Sequence, residues 1–355
     1  MPKVRLCPEC GASRRIVREH RWLSDGTIVQ TKNPDHRMVF IENENINGIF
    51  RNIEEILSMP IDRIIVEAKR RATFDFVDHI LPGVVKAVVQ RVGMRPVIRN
   101  ITALGKVMGY GNIELANLRR VHDEGDYVTI HTQGIYSLPL FCGDLAGSFN
   151  AIDRREVAVS HRELGPEEHE ITGFISVHPM ELMDRLKPIP YTHKPGDIEL
   201  ERCPKCGGPK ALANYRWDTE RGMILHRETG RRMVILGPST VDTIIEELQN
   251  ELGESIPEVV IEAQRRFVRN EFYSLDEART FEDLRRALAL RGLGNLREMD
   301  WGADRLRFRL ENPCLFLPMV GLVLGVFELA TGKEGRAEWE LRPDGDLVVE
   351  VNSVS

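Results

Sequence analysis

The chain contains the same ordered series of sequence motifs twice, and this repetition constrains its fold more than any other feature. Cys7-Pro8-Glu9-Cys10-Gly11 near the N-terminus returns as Cys203-Pro204-Lys205-Cys206-Gly207. Four further blocks recur in the same order: Arg21-Trp22 as Arg216-Trp217, Arg37-Met38-Val39 as Arg232-Met233-Val234, Ile65–Arg71 as Val260–Arg266, and Gly109–Asn112 as Gly292–Asn295. The sequence therefore predicts two tandem copies of one module, at residues 1–187 and 201–355, joined by a linker at 188–200.

Composition narrows the class of protein. A length of 355 residues fits about two domains. The net charge of −6 argues against a protein that coats nucleic acid, which normally needs a basic surface. The N-terminus leads into Cys7 without an apolar signal segment. The longest apolar run, 315–330, is shorter than the roughly 20 residues that span a membrane, so we expect a buried helix in a cytoplasmic protein without a membrane span.

The two Cys-x-x-Cys-Gly motifs indicate a metal site. One such knuckle supplies two thiolates, whereas tetrahedral zinc takes four ligands. We therefore predict one structural zinc ion held by Cys7, Cys10, Cys203 and Cys206. The alternatives are a redox disulfide, which is typical of a thioredoxin-like βαβ unit that the sequence does not show, and two unrelated turns. Within the first copy the nearest additional ligand candidate is His20.

The spacing of apolar residues predicts an α+β fold for each copy. The Cys-x-x-Cys-Gly knuckle is the first element of the copy. A short hairpin carrying the repeated tryptophan comes next, followed by an amphipathic helix (46–58 or 241–252) and a second helix with the repeated Glu-Ala-x-Arg-Arg block. A strand, a glycine-containing helix and a closing hairpin complete each copy. Glu67 and Glu262 are expected either to face each other near a pseudo-axis or to pair with the arginines that follow them.

The last two-thirds of each copy resembles the 4-vinyl-reductase domain. The resemblance rests on Gly292-Leu293-Gly294, a strand ending at Glu311-Asn312-Pro313, the helix segment 321–328 with its two glycines, Gly332 and the terminal hairpin. It implies an α+β fold shared with the sensor domains of phenol-responsive activators and with a Golgi-trafficking component. It also implies an internal pocket for a small apolar ligand and dimerisation through N-terminal helices. We therefore expect the two copies to pair within one chain.

The same resemblance suggests a second metal site. Phenol sensors hold zinc with one cysteine in the helix and two in the last hairpin, separated by seven residues. Cys142 matches the helix position, and His161 and His169 stand in the hairpin with that separation. The expected acidic ligand is replaced by Ala158, and the second copy has Trp339 and no histidine in its hairpin. Exposed hairpin residues are the alternative interpretation.

These features favour a zinc-stabilised cytoplasmic protein that binds or senses an apolar or aromatic small molecule and acts through a protein partner. An accessory or enzyme acting on a vinyl-bearing tetrapyrrole is the first alternative, although no hydride-donor site or catalytic constellation is evident, and a zinc-ribbon adaptor is the second. The residues that bind the ligand cannot be read from the sequence. Because the first copy has the three extra ligand candidates and a longer segment at 74–106, we expect it to be the responsive half and the second copy to be its scaffold.

Overall fold

The computed structural model describes residues 4–80, 93–176, 191, 193–273 and 280–354. Within these ranges the protein has the predicted α+β fold, built from helices and antiparallel sheets. It divides into two compact units. Unit 1 comprises Met1–Leu6, Ile61–Pro188 and Tyr215–Val234, and unit 2 comprises Cys7–Pro60, Ile189–Asn214 and Ile235–Ser355. Each unit thus takes segments from both halves of the chain, whereas the ranges 1–187 and 201–355 follow the sequence repeat and stay a prediction.

The described helices and strands follow the predicted order with one correction: the sequence predicts a β section over residues 15–22, but Arg14–Glu19 form a helix and only His20–Trp22 form the strand. The helices are α1 (Arg14–Glu19), α2 (Asn43–Leu57), α3 (Asp62–Ile80), α4 (Arg95–Met108), α5 (Leu138–Asp153), α6 (Ser239–Leu252), α7 (Ile256–Phe267), α8 (Phe281–Leu290) and α9 (Phe316–Thr331). The strands are β1 (His20–Trp22), β2 (Ile28–Gln30), β3 (Arg37–Glu42), β4 (Asn112–Arg119), β5 (Tyr127–Gln133), β6 (Val157–Gly165), β7 (Glu168–Ile175), β8 (Tyr215–Asp218), β9 (Met223–His226), β10 (Arg232–Leu236), β11 (Asn295–Trp301), β12 (Arg305–Glu311), β13 (Gly335–Leu341) and β14 (Leu347–Ser353). The predicted linker falls partly outside the described residues, as does the middle of segment 74–106.

In unit 1 an antiparallel sheet of order β4-β5-β7-β6 accompanies the packed helices α3 and α5. The two helices approach closely because α5 carries glycine at the contact. A Cβ atom at Gly143 would stand 2.6 Å from the Cβ of Lys69, and one at Gly147 would stand 2.3 Å from the carbonyl oxygen of Arg70. Any larger side chain would force the helices apart.

Unit 2 repeats this arrangement with its own elements. Its sheet has the order β11-β12-β14-β13, and α9 packs on α7. A Cβ atom at Gly321 would stand 2.3 Å from the carbonyl oxygen of Ile261, and one at Gly325 would stand 2.7 Å from the Cβ of Val268. Helix α9 is the predicted buried apolar helix, and most of its side chains are buried. No helix in the described part of the chain has the length and apolar character needed to cross a membrane.

The repeated arginines pair with the repeated glutamates inside these helix pairs. Arg70 Nε donates to Glu67 at 2.9 Å, and Arg265 Nη1 donates to Glu262 at 3.0 Å. Each arginine also donates a hydrogen bond to the second helix of its pair: Arg70 to Asn150 of α5 in unit 1, and Arg265 to Glu328 of α9 in unit 2. These contacts favour the second of the two expectations, in which the glutamates neutralise the arginines.

The tryptophan hairpins pack against the opposite half of the sequence. In unit 2, Trp22 of β1 donates its indole N–H to the carbonyl of Leu290 at 2.8 Å. In unit 1, Trp217 of β8 donates to the carbonyl of Val107 at 3.1 Å. Both acceptors lie at a helix C-terminus, where carbonyl groups lack intrahelical partners. Each hairpin therefore satisfies and covers the end of a helix that belongs to the other half of the chain.

Candidate metal centre and ligand cavity

The two cysteine knuckles have the same local geometry, and both lie in unit 2. Cys7 N–H donates to the Ala12 carbonyl at 2.8 Å, and Cys203 N–H donates to the Gly208 carbonyl at 2.8 Å. Gly11 and Gly207 have φ values of 72° and 76°, a left-handed conformation that glycine adopts without steric cost. This tight turn explains why glycine directly follows each Cys-x-x-Cys pair.

The fold brings the four predicted cysteines together. Cys7 Sγ lies 3.7 Å from Cys203 Sγ, and Cys10 Sγ lies 3.6 Å from Cys206 Sγ. All four sulfur atoms lie within 4.8 Å of one another. Four thiolates at about 2.3 Å from a zinc ion stand about 3.8 Å apart in a tetrahedron, so the cluster has the dimensions of a metal site with no open coordination position.

The ionisation of these thiols explains why a cation suits the cluster. Burial by itself raises the pKa of Cys7, but backbone N–H groups at Cys10 and Glu9 lower it to a net value of about 7. Burial raises the pKa of Cys10 to about 12, and the contacts with Cys206, Cys7 and Cys203 act in the same direction. One thiolate therefore forms readily, whereas further thiolates need a positive ion among them.

The remaining metal-ligand candidates are not gathered into a site. Among the described residues, the four cysteines are the one group of three or more potential ligands close enough to hold an ion. His161 is exposed on β6, Cys142 is buried in α5, and burial raises the Cys142 pKa to about 12. His20 is buried and its Nδ1 lies 3.0 Å from the Ile16 carbonyl. Neither His20 nor the set of Cys142, His161 and His169 forms a cluster comparable to the four cysteines.

Unit 2 also contains a cavity between α2, α7 and the N-terminal part of α9. It is open to solvent at its mouth, and its empty volume of about 540 Å³ includes solvent there, whereas its interior has only about 40 Å³ of room for the centre of a water-sized sphere. Its wall is mainly aliphatic and aromatic, with a few polar side chains. The lining residues are Ile41, Glu42, Asn45, Ile46, Ile49, Phe50, Val241, Gln264, Tyr273, Arg291, Leu293, Leu315, Pro318, Met319 and Leu322. A mainly apolar wall with a few polar groups is the usual character of a small-molecule site.

The two charged residues of the lining neutralise each other. Glu42 is buried and forms an ion pair with Arg291. Burial lowers the Arg291 pKa to about 10, which leaves the guanidinium protonated at neutral pH. Tyr273 Oη donates to Glu42 at 3.2 Å and accepts from Asn45 Nδ2 at 2.8 Å. The polar end of the cavity is therefore a connected network without net charge.

Gln264 is the exception among the polar lining residues. It is 1% exposed, and neither its Oε1 nor its Nε2 has a hydrogen-bond partner. Asn45 Oδ1 also lacks a partner. Buried side-chain amides are almost always hydrogen-bonded, because an unpaired group loses its bonds to water without replacement. The cavity wall thus contains a buried donor and buried acceptors that have no partner within the protein.

Asp242, next to the cavity residue Val241, has a perturbed ionisation. Burial raises its pKa to about 6, although Tyr191 donates a hydrogen bond to it and Arg37 lies nearby. Arg37 stacks over the Tyr191 ring at 5.1 Å and donates to the carbonyls of Gly292, Asn312 and Pro313. This cluster fixes the loop before α9, which lines the cavity.

Sequence reasoning missed Gln264, although the sequence contains a signal for it. The repeated block reads Glu67-Ala68-Lys69 in the first half and Glu262-Ala263-Gln264 in the second. A neutral side chain replaces a charged one at a matched position. That change marks where the two halves differ inside otherwise equivalent helices.

Comparison with known proteins leaves the family of this chain open, since no family model and no curated protein matches it. Among solved structures, the phenol-responsive sensory domain of the transcription activator PoxR with phenol aligns with 45% of this chain and 87% of its own, at 13% identity and a TM-score of 0.35. A Cs H-NOX mutant aligns with 36% of this chain and 79% of its own, at 12% identity and a TM-score of 0.26. Scores this low describe partial similarity and define neither family nor activity.

Proposed function

We propose that this protein binds a mainly apolar small molecule in the cavity of unit 2, and that a zinc ion on the four cysteines stabilises the same unit. The observation that carries the proposal is the apolar cavity with the buried, unpartnered amide of Gln264 in its wall. A bound ligand would cover the apolar wall of such an open pocket and could supply the hydrogen-bond partners that the Gln264 amide lacks.

The four-thiolate cluster supports zinc in a structural role. Four soft sulfur ligands at tetrahedral separations suit zinc and leave no coordination position for a substrate. The cluster ties residues 7–10, which precede β1, to residues 203–206. Helix α2 lines the cavity and lies in the same N-terminal segment of unit 2 as Cys7 and Cys10. Loss of the ion would therefore loosen the segment that forms one cavity wall.

We propose that the chain carries two copies of one module of the 4-vinyl-reductase type, and the matched contacts of the two units support the duplication. Trp22 and Trp217, Gly143 and Gly321, and Arg70 and Arg265 make equivalent contacts. We also propose that the two copies pair within the chain and that a protein partner in a reducing compartment reads the ligand. A solution mass of one 40.5 kDa chain is the expected result for pairing within the chain. A mass of twice that value would indicate pairing between chains instead.

The cavity lining is relevant to the expectation that the first half of the chain responds to the ligand while the second half serves as its scaffold. Its lining includes α2 from the first half and α7 and α9 from the second, so both halves contribute to ligand binding. The idea that the first half alone responds to ligand concerns a segment that lies partly outside the described residues, and it stays a prediction. No specific observation in the described residues favours the tetrapyrrole enzyme or the zinc-ribbon adaptor.

The neutral fluorophore N-phenyl-1-naphthylamine tests the proposal, because its emission rises on entering an apolar site. We expect the wild type to bind it and Leu322→Trp, which fills the cavity, to lose binding. Ala330→Trp places the same side chain at an exposed position of the same helix and serves as the matched control. Equal binding by the wild type and Leu322→Trp would place the site elsewhere, and no binding by the wild type would count against a ligand cavity.

A further inference from the structure

The Gln264 side chain is fixed in the cavity wall by close helix packing. A Cβ atom at Gly321 would stand 2.7 Å from the Cβ of Gln264 and 3.2 Å from its Cγ, so α9 lies directly against the base of the side chain. The amide group thus has little freedom to turn away toward solvent, consistent with its exposure of 1%. Its unpaired donor and acceptor are held in place in the cavity wall.

The corresponding position of unit 1 is fully satisfied. Lys69, which meets Gly143 as Gln264 meets Gly321, lies with its Nζ 3.3 Å from Asp144. Asp144 also accepts from Thr73 at 2.8 Å and from Tyr136 at 2.7 Å. Tyr136 stacks on Tyr110 with 4.3 Å between ring centroids. An ion pair and two stacked aromatic rings thus surround the position that matches Gln264.

Unit 2 lacks each of these partners at the matched positions. Leu322 follows Gly321 as Asp144 follows Gly143, so the position matched to the Asp144 carboxylate is aliphatic in unit 2, and Leu322 lines the same cavity as Gln264. Leu293 and Cys314 take the places of the two stacked tyrosines. Leu293 and Leu322 both line the cavity, so two of these three positions border it. The absence of the carboxylate leaves the amide of Gln264 without the partner that Lys69 has in unit 1.

We propose that the cavity of unit 2 recognises a neutral ring compound that carries one amide-like group, with a carbonyl oxygen beside an N–H, as in a primary carboxamide or a lactam. A glutamine amide offers a donor and an acceptor side by side, and such a group is its bidentate complement. The inference does not depend on which way round the Gln264 amide lies, because both atoms lack partners. The Glu42–Arg291 pair leaves the lining without net charge, which favours a neutral ligand. The inference rests on the proposed small-molecule function.

Benzamide and ethylbenzene form a suitable pair of probes, because they share a ring and differ in the amide. Each is titrated as a competitor of N-phenyl-1-naphthylamine on the full chain, for the wild type and for Gln264→Leu. The measured quantity is the ratio of the two dissociation constants, and comparing this ratio between proteins cancels the different hydration of the two probes. We expect Gln264→Leu to shift the ratio at least about tenfold against benzamide, since hydrogen bonds to a buried unpaired amide are lost.

A second variant keeps the test informative if Gln264→Leu fails to fold. Gln264→Met keeps the length of the side chain and removes both amide atoms, and it should shift the ratio in the same direction. An unchanged ratio in folded variants that still bind ethylbenzene would overturn the amide inference and leave the small-molecule function standing. If neither benzamide nor ethylbenzene displaces the fluorophore from the wild type, two claims fail: the recognition of an amide group and the presence of a site that accepts a benzene ring.

Discussion

The two units of this protein have equivalent frameworks and different interiors. Both have a four-stranded antiparallel sheet, a helix pair joined at glycines and a tryptophan hairpin from the opposite half of the sequence. At the matched helix interface, unit 1 has the stacked rings of Tyr110 and Tyr136 and the Lys69–Asp144 ion pair, whereas unit 2 has the unpartnered amide of Gln264 beside a cavity. Two units with the same backbone contacts can therefore differ in the polarity of a few side chains at their helix interfaces.

The largest expected effect concerns the metal cluster, which belongs to unit 2 alone. The double variant Cys203→Ser, Cys206→Ser should lose the bound ion and destabilise unit 2, because structural zinc sites contribute about 10 kcal/mol or more of binding free energy. Metal analysis and hydrogen exchange resolved by unit measure both effects. Cys142→Ser in unit 1 is the matched control. A full equivalent of metal in the double variant would contradict the shared site.

Truncation of one buried residue in each unit compares how much the two matched side chains contribute to the free energy of unfolding. Tyr136→Ala should cost about 3–5 kcal/mol of unfolding free energy, because it opens a cavity and removes a hydrogen bond to Asp144. Cys314→Ala, at the matched position of unit 2, should cost only about 1 kcal/mol, because it removes a single heavy atom. Urea unfolding of both variants gives the comparison. A loss for Tyr136→Ala as small as that for Cys314→Ala would contradict close packing around Tyr136.

A third prediction concerns the buried carboxylate of Asp242 in unit 2. Its folded pKa of about 6 lies above the ordinary value of 3.8, so the stability that its protonation contributes is complete below 3.8 and is lost as the pH rises through about 6. At pH 7.5, Asp242→Asn should therefore raise the unfolding free energy by up to about 3 kcal/mol.

The advantage of Asp242→Asn should shrink as the pH falls from 7 toward 4, which unfolding curves at several pH values would show. Asp300→Asn, an exposed position of unit 2, is the control for removal of one negative charge. A stability difference that stays constant over this pH range would argue against a raised pKa for Asp242.

The smallest expected effect belongs to the histidines of unit 1. The variant His161→Ala, His169→Ala should bind the same single equivalent of metal as the wild type, since the fold does not gather these residues with Cys142. Metal counting on both proteins checks this expectation. A second equivalent in the wild type that disappears in the variant would reinstate a second site.

Features with short-range causes were predictable from the sequence. The knuckle turns follow from glycine after each cysteine pair, the hairpins from turns between short strands, and the helices from their apolar spacing. The pairing of Glu67 with Arg70 is likewise a contact within one helical turn. The sequence also predicted that both knuckles meet in one cluster, because one pair of thiolates cannot complete a tetrahedral site.

By itself, the sequence determined the repeated elements and the four clustered cysteines, since local backbone preferences and ligand number control them. Only the tertiary structure decided which segments share a unit, because exchange of the tryptophan hairpins depends on long-range packing that no local pattern encodes. The same holds for Gln264, whose polarity is visible in the sequence. Its lack of partners emerges only from the packing of helices α7 and α9, where unit 2 has no counterpart of the Lys69–Asp144 pair of unit 1.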